Sequence, residues 1–171
     1  MDLSTKLRVA GIVQESYVDG PGIRMAVFVQ GCNHCCSGCQ NPHTWDYNSG
    51  TDIKIGKIID EFISNPLLNG ITFTGGEPMD KCDVLYQIAH VIKLFEKSVW
   101  CYTGYTYEEL IERAKNDLNL YSFLRNIDVL VDGPFILDKK DLNLTFRGSS
   151  NQRIIDVQES LKANKVILWK S

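Results

Sequence analysis

Short apolar runs and stretches of helical period take turns along this chain. Leu7–Val13 and Arg24–Gly31 (RMAVFVQG) predict strands, joined through the glycine- and proline-rich VDGPGI. Ile55, Ile58, Ile59, Phe62 and Ile63 then recur at helical spacing, and Pro66 limits that helix. Gly70–Thr74 (GITFT) suits a short buried strand and runs straight into GGEP. Asp80 reads as the N-cap of a longer helix whose inner face carries Val84, Leu85, Ile88, Ile92 and Phe95. Val99–Thr103 (VWCYT) predicts the next strand, and Thr106 with Glu109 forms a capping-box pattern that opens the helix TYEELIERAK. Ile127–Val131 (IDVLV) is a further strand ending in DGPF, and the tail offers two more, around Arg153–Val157 and Val166–Trp169.

Strands that alternate with helices imply βαβ units and an α/β fold with a mostly parallel sheet. Ligands of such sheets gather at the carboxyl ends of the strands. The polar and glycine-rich punctuation falls there repeatedly: GCNHCC, then GGEP, TGY and DGPF. One composite site is the expectation. A complete eight-unit barrel takes about 250 residues, so this chain predicts an open, partial (β/α) barrel.

Composition narrows the class of function. The chain has 171 residues, enough to bury a sizeable core without covalent staples. No repeat, low-complexity tract or linker-like shift divides it, so residues 1–171 are expected to form one domain. A formal charge of −3 argues against a large basic face for nucleic acid or anionic lipid. No apolar run is long enough for a signal peptide or a membrane span, so a cytoplasmic location is expected. Thiols stay reduced there, and clustered cysteines are more often metal ligands or redox groups than disulfides.

The chemistry concentrates in Gly31–Trp45, GCNHCCSGCQNPHTW, which carries Cys32, Cys35, Cys36 and Cys39 of six cysteines in all. Read as two abutting C-x2-C pairs, the thiols suggest zinc, although zinc knuckles usually lie a dozen or more residues apart. A single C-x-x-C redox pair would normally open a helix in a different βαβ setting. Read as C-x3-C-x2-C, three thiolates could hold a 4Fe–4S cluster and leave one iron without a protein ligand, which suits a reaction better than simple electron carriage. Cys82 and Cys101 have no partner at ligand spacing and read as small buried hydrophobes.

C-x3-C-x2-C at one strand end followed by GGEP at the next resembles the radical S-adenosylmethionine (SAM) superfamily. VDGPGIR (residues 18–24) is similar to a segment of the activating enzymes of glycyl radical enzymes. GC-x-H-x-C-x-GC-x-NP-x-TW, TGYTYEEL, DVLVDGPF and FRGSSNQRIID resemble, in order, the activators of anaerobic ribonucleoside-triphosphate reductase. These segments span residues 18 to 156. Many superfamily members carry an aromatic residue before the third cysteine; Gly38 stands there in this chain, as it commonly does in the reductase activators.

The resemblance implies a cluster held by Cys32, Cys36 and Cys39, with Cys35 as a spectator. It implies that SAM chelates the open iron through its amino and carboxylate groups. Reductive cleavage of SAM would yield a 5′-deoxyadenosyl radical, which takes a hydrogen atom from a glycine Cα of the partner, the reductase large subunit. Gly75, Gly76 and Glu77 would lie near the SAM amino group, and Gly38, Cys39 and Gln40 on the adenine side. Thr103 and Asp132 are candidates for the SAM surroundings, Asp19–Arg24 for the mouth that admits the glycine loop, and Arg147–Arg153 for a SAM contact or a docking surface. An electron donor such as flavodoxin is implied as a second partner. His34 reads either as a tuner of the cluster or as loop filling. Rival readings are an activase of another glycyl radical enzyme, of the pyruvate formate-lyase type, and a non-catalytic zinc-binding module.

Overall fold

A computed structural model describes residues 1–170. Seven strands form one sheet: β1 (Lys6–Ser16), β2 (Arg24–Val29), β3 (Thr51–Lys54), β4 (Gly70–Gly75), β5 (Ser98–Tyr102), β6 (Val129–Asp132) and β7 (Arg153–Asp156). Their order is β3-β1-β2-β4-β5-β6-β7. The four central strands β2, β4, β5 and β6 run parallel, and antiparallel neighbours finish both sides. The sheet does not close on itself, so the α/β architecture is an open, partial barrel.

Alternation along the central strands divides the sheet into two faces. Met25, Val27 and Val29 of β2, Ile71 and Phe73 of β4, and Val99 and Cys101 of β5 join one large core with the helices. That core receives α1 (Ile55–Ser64), α2 (Cys82–Leu94), α3 (Tyr107–Ala114) and α4 (Leu118–Leu124). α1 supplies Ile55, Ile58, Ile59 and Phe62, each contributing roughly 1.5–3 kcal/mol by burial. The intervening positions point to the other face, where Trp100, Val129 and Val131 meet Tyr102, Phe146, Ile154 and Trp169. Trp100 packs edge-on against Phe146 at 5.4 Å and against Trp169 at 5.1 Å.

Most predicted elements are present, and the differences have physical causes. The capping box forms as expected: Thr106 accepts from the Glu109 N–H, and the Glu109 carboxylate accepts from Thr106 N–H. Asp80 is not the N-cap of the long helix. A 3-10 turn over Pro78–Lys81 comes first, capped by Glu77, and Asp80 instead accepts from the Tyr105 hydroxyl at 3.2 Å. Phe95, assigned to the inner face, lies about half exposed, as does Ile63, the last of the residues at helical spacing. Val157 begins α5 (Val157–Ala163) rather than ending a strand, because Asp156 caps a helix there by accepting from Glu159 N–H. The expected strand Val166–Trp169 reduces to one bridge, Ile155 to Leu168. Strand β3 is a polar edge strand, TDIK, with no apolar run to announce it.

Candidate active site at the carboxyl edge of the sheet

The central strands finish together: Val29 is level with Gly75, and Tyr102 with Val131. The loops that leave these ends surround a recess of about 110 Å³. Cys32, Cys36 and Cys39 line it, with His34 and Trp45 from the same loop, Gly75–Glu77 from the β4 end, Tyr102–Gly104 from the β5 end, and Phe135 and Gln152. Cys35 lies outside that lining, exposed, with a φ of +46° that turns it out of the run. Cys82 and Cys101 are buried among the helices, as expected. Burial pushes the Cys82 thiol up to about 11 and the Cys101 thiol well above its usual value.

The cysteine loop is pinned at its base. Gly31 N–H donates to Thr44 O at 2.7 Å and Cys32 N–H to Trp45 O at 3.1 Å. The Gln30 amide donates to His43 O and Asp46 O at 3.1 and 2.6 Å. Cys39 N–H closes a turn onto Cys36 O at 3.0 Å. Burial raises the Cys32 thiol to about 11 and raises that of Cys36, so neither ionises readily unless a cation binds it; metal coordination deprotonates such a thiol outright.

The donor set fits an iron–sulfur group. All three recess cysteines are free and half-buried. Asn41 N–H points at Cys39 Sγ, 3.4 Å away, and the Phe135 N–H faces Cys36; N–H groups of this kind tune iron–sulfur potentials. Among the described residues, no three His, Cys, Asp or Glu side chains converge on a point that would hold one metal ion. A single tetrahedral zinc needs four donors within about 2.0–2.3 Å. Three thiols that line one recess can each supply a thiolate to an iron–sulfur group.

The GGEP loop lies against the root of the cysteine loop. Gly76 N–H donates to Val29 O and Glu77 N–H to Gly31 O, both at 2.8 Å. Gly75 has a φ of +94°, and a Cβ on Gly76 would stand 2.3 Å from Gly31 O. Only glycine permits backbone to approach backbone this closely. Glu77 is fully buried. Its Oε1 accepts from Met79 N–H at 2.9 Å and from the Thr103 hydroxyl at 2.8 Å. Its Oε2 accepts from Gly104 N–H at 2.9 Å and contacts His34 Nε2 at 2.8 Å. That last contact raises the His34 pKa above its ordinary value.

Other sequence-predicted residues separate into groups. Thr103 stands in the recess and is buried. Gly38 and Gln40 belong to the cysteine loop but are exposed and do not line the recess. Asp132 is also outside it: its carboxylate caps α3 through Tyr107 N–H at 2.8 Å and accepts from Arg153 Nε at 3.0 Å. In the 147–153 segment, Gln152 reaches the recess, whereas Arg153 bridges Asp132 and Glu108. Asp19–Arg24 sit at the opposite, amino edge, where Arg24 is level with Gly70 and Gly70 with Ser98. That edge is roughly 17 Å away along β2. Sequence reasoning did not single out Tyr102, and it reached Gly104, Phe135 and Gln152 only as members of TGY, DGPF and Arg147–Arg153. Tyr102 could have been found from its place two residues beyond Trp100, on the face without helices.

A model of the 4Fe–4S single cluster domain family matches residues 18–155. Curated relatives named anaerobic ribonucleoside-triphosphate reductase-activating protein include one from Vibrio cholerae, 39% identical over 80% of this chain and 90% of its own. One from Escherichia coli is 38% identical over 79% and 89%, and one from Haemophilus influenzae 33% identical over 80% and 90%. Among solved structures, QueE from Escherichia coli overlaps 58% of this chain and 52% of its own, at 16% identity and a TM-score of 0.45. With cysteines, GGEP loop and strand ends gathered at one recess, and relatives alike over most of their length, the chain belongs to the family of anaerobic ribonucleoside-triphosphate reductase-activating proteins.

Proposed function

We propose that this chain is a single-domain radical SAM activase that installs the glycyl radical of an anaerobic ribonucleotide reductase. When bound, a 4Fe–4S cluster and SAM supply one-electron cleavage of the sulfonium C–S bond and, through it, hydrogen abstraction from a glycine Cα of the reductase. In this reading Cys32, Cys36 and Cys39 hold the cluster and leave one iron for SAM. Gly75 and Gly76 bring backbone close to the ligand, and Thr103 closes the β5 side. The activase would work in the reducing cytoplasm with an electron donor such as flavodoxin.

The observation that carries the reading is the convergence of three half-buried thiols, without the fourth, on the recess that the GGEP loop also lines. Its test is anaerobic: reconstituted protein, reductant, SAM and the reductase large subunit are mixed and read by EPR. A glycyl radical doublet on the reductase, with 5′-deoxyadenosine formed, is the expected result. Deoxyadenosine without a doublet refutes the partner. Zinc at one equivalent with no iron after reconstitution refutes the chemistry.

A further inference from the structure

The carboxyl group of Glu77 in the GGEP loop has room for about four hydrogen bonds, and four donors already surround it. Met79 N–H and the Thr103 hydroxyl reach Oε1, and Gly104 N–H and His34 Nε2 reach Oε2, all at 2.8–2.9 Å. The carboxylate is fully buried and has no lone pair left for a ligand's ammonium group. Three of its donors come from three different segments: the cysteine loop, the GGEP turn and the turn after β5.

His34 is the donor from the cysteine loop, between Cys32 and Cys36. Its ring meets Tyr105 edge-on at 4.6 Å and lies over Gly104, where an added Cβ would come within 2.5 Å of the imidazole. With the carboxylate as acceptor, Nε2 carries the proton. The ring therefore has one orientation and one partner, and no path to a sulfur is needed to explain its place.

We propose that His34 is a positioning residue. Its Nε2–H bond to Glu77 sets the spacing between the cysteine loop and the Gly75–Gly76 backbone, and so the seat of SAM against the cluster. The inference rests on the proposed function, and it moves Glu77 from ligand contact to strut. His34 is expected to matter for SAM more than for the cluster, because all three candidate thiols remain when it is changed.

Two variants separate the hydrogen bond from ring packing. His34→Gln keeps an N–H donor without the ring, and His34→Phe keeps a ring without the donor. Each is reconstituted anaerobically; iron and sulfide are counted, SAM affinity is measured, and the SAM-induced change in the EPR spectrum of the reduced cluster is recorded. Wild type must show both cluster and SAM response; if it does not, the proposed function fails, whatever the variants do. Given that response, we expect wild-type iron in both variants. SAM affinity should stay within about threefold in His34→Gln and fall roughly tenfold or more, with a weakened EPR change, in His34→Phe, the scale of one unmet buried polar group. Equal SAM response in both variants, the reverse order, or parallel loss of iron in both would overturn the proposal.

Discussion

Arg24 at the amino edge of the parallel sheet and Glu77 at its carboxyl edge are both fully buried charged side chains, and they are satisfied in different ways. At the amino edge, Arg24 is fully buried and donates to the Thr72 hydroxyl, Ile71 O, Ser98 O and the Ser98 hydroxyl at 2.7–3.0 Å. Its guanidinium lies 5.6 Å from the Trp100 ring centre, and burial lowers its pKa to about 10. These four acceptors belong to the strands themselves, and a fifth, longer contact reaches Pro21 O in the linker at 3.5 Å. At the carboxyl edge, the partners of Glu77 belong to the loops that leave the strands. A network centred on strands, with the 19–21 linker tied to it, holds the sheet together, while one that spans loops holds the loops to each other. The first is a stability device, and the second shapes the site.

That contrast orders the expected effects. Arg24→Ala should do the greatest damage to stability, about 3 kcal/mol, because it leaves a cavity and several buried polar groups without partners. Thermal melting should fall by roughly 6–12 °C for a chain of this size. The protein that remains folded should still take up iron; loss of cluster at wild-type stability would break the comparison. Glu77→Gln keeps the shape but confronts one pair of donors with an amide N–H2. A smaller loss, about 1–3 kcal/mol, is expected. The SAM-induced EPR change should weaken strongly at wild-type iron content, and an unaltered SAM response would make Glu77 a second stability device. Asp132→Asn should be mildest, about 1 kcal/mol, because Glu108 still holds Arg153 and Asp132 does not line the recess. Its SAM affinity should match wild type, and a large loss would return Asp132 to the ligand's surroundings.

What the sequence reveals follows the same division. Strand ends, helix spacing and the Thr106–Glu109 capping box are local patterns, and they were legible. So was the gathering of GCNHCC, GGEP and TGY at one edge, since parallel topology dictates it. The tail was less so: the segment Val166–Trp169 reads as a strand but makes one bridge, because its partner is the short outer strand β7. Glu77 shows a deeper limit. GGEP announces a ligand loop, yet which way the carboxylate turns depends on donors 26 and 43 residues away. Asp132 shows the same limit: a strand-end aspartate looks like a ligand contact, and its bond to Arg153, 21 residues on, is set by the fold. No local pattern carries that information.

The most direct measurement compares the four cysteines of one loop. Cys32→Ala, Cys35→Ala, Cys36→Ala and Cys39→Ala are each reconstituted anaerobically, and bound iron, sulfide and cluster absorbance are quantified. Only Cys35→Ala, the exposed thiol outside the recess, should keep a full cluster and a wild-type SAM response. A Cys35→Ala protein that loses its cluster, or a Cys32→Ala, Cys36→Ala or Cys39→Ala protein that keeps one, would contradict the three-thiolate site.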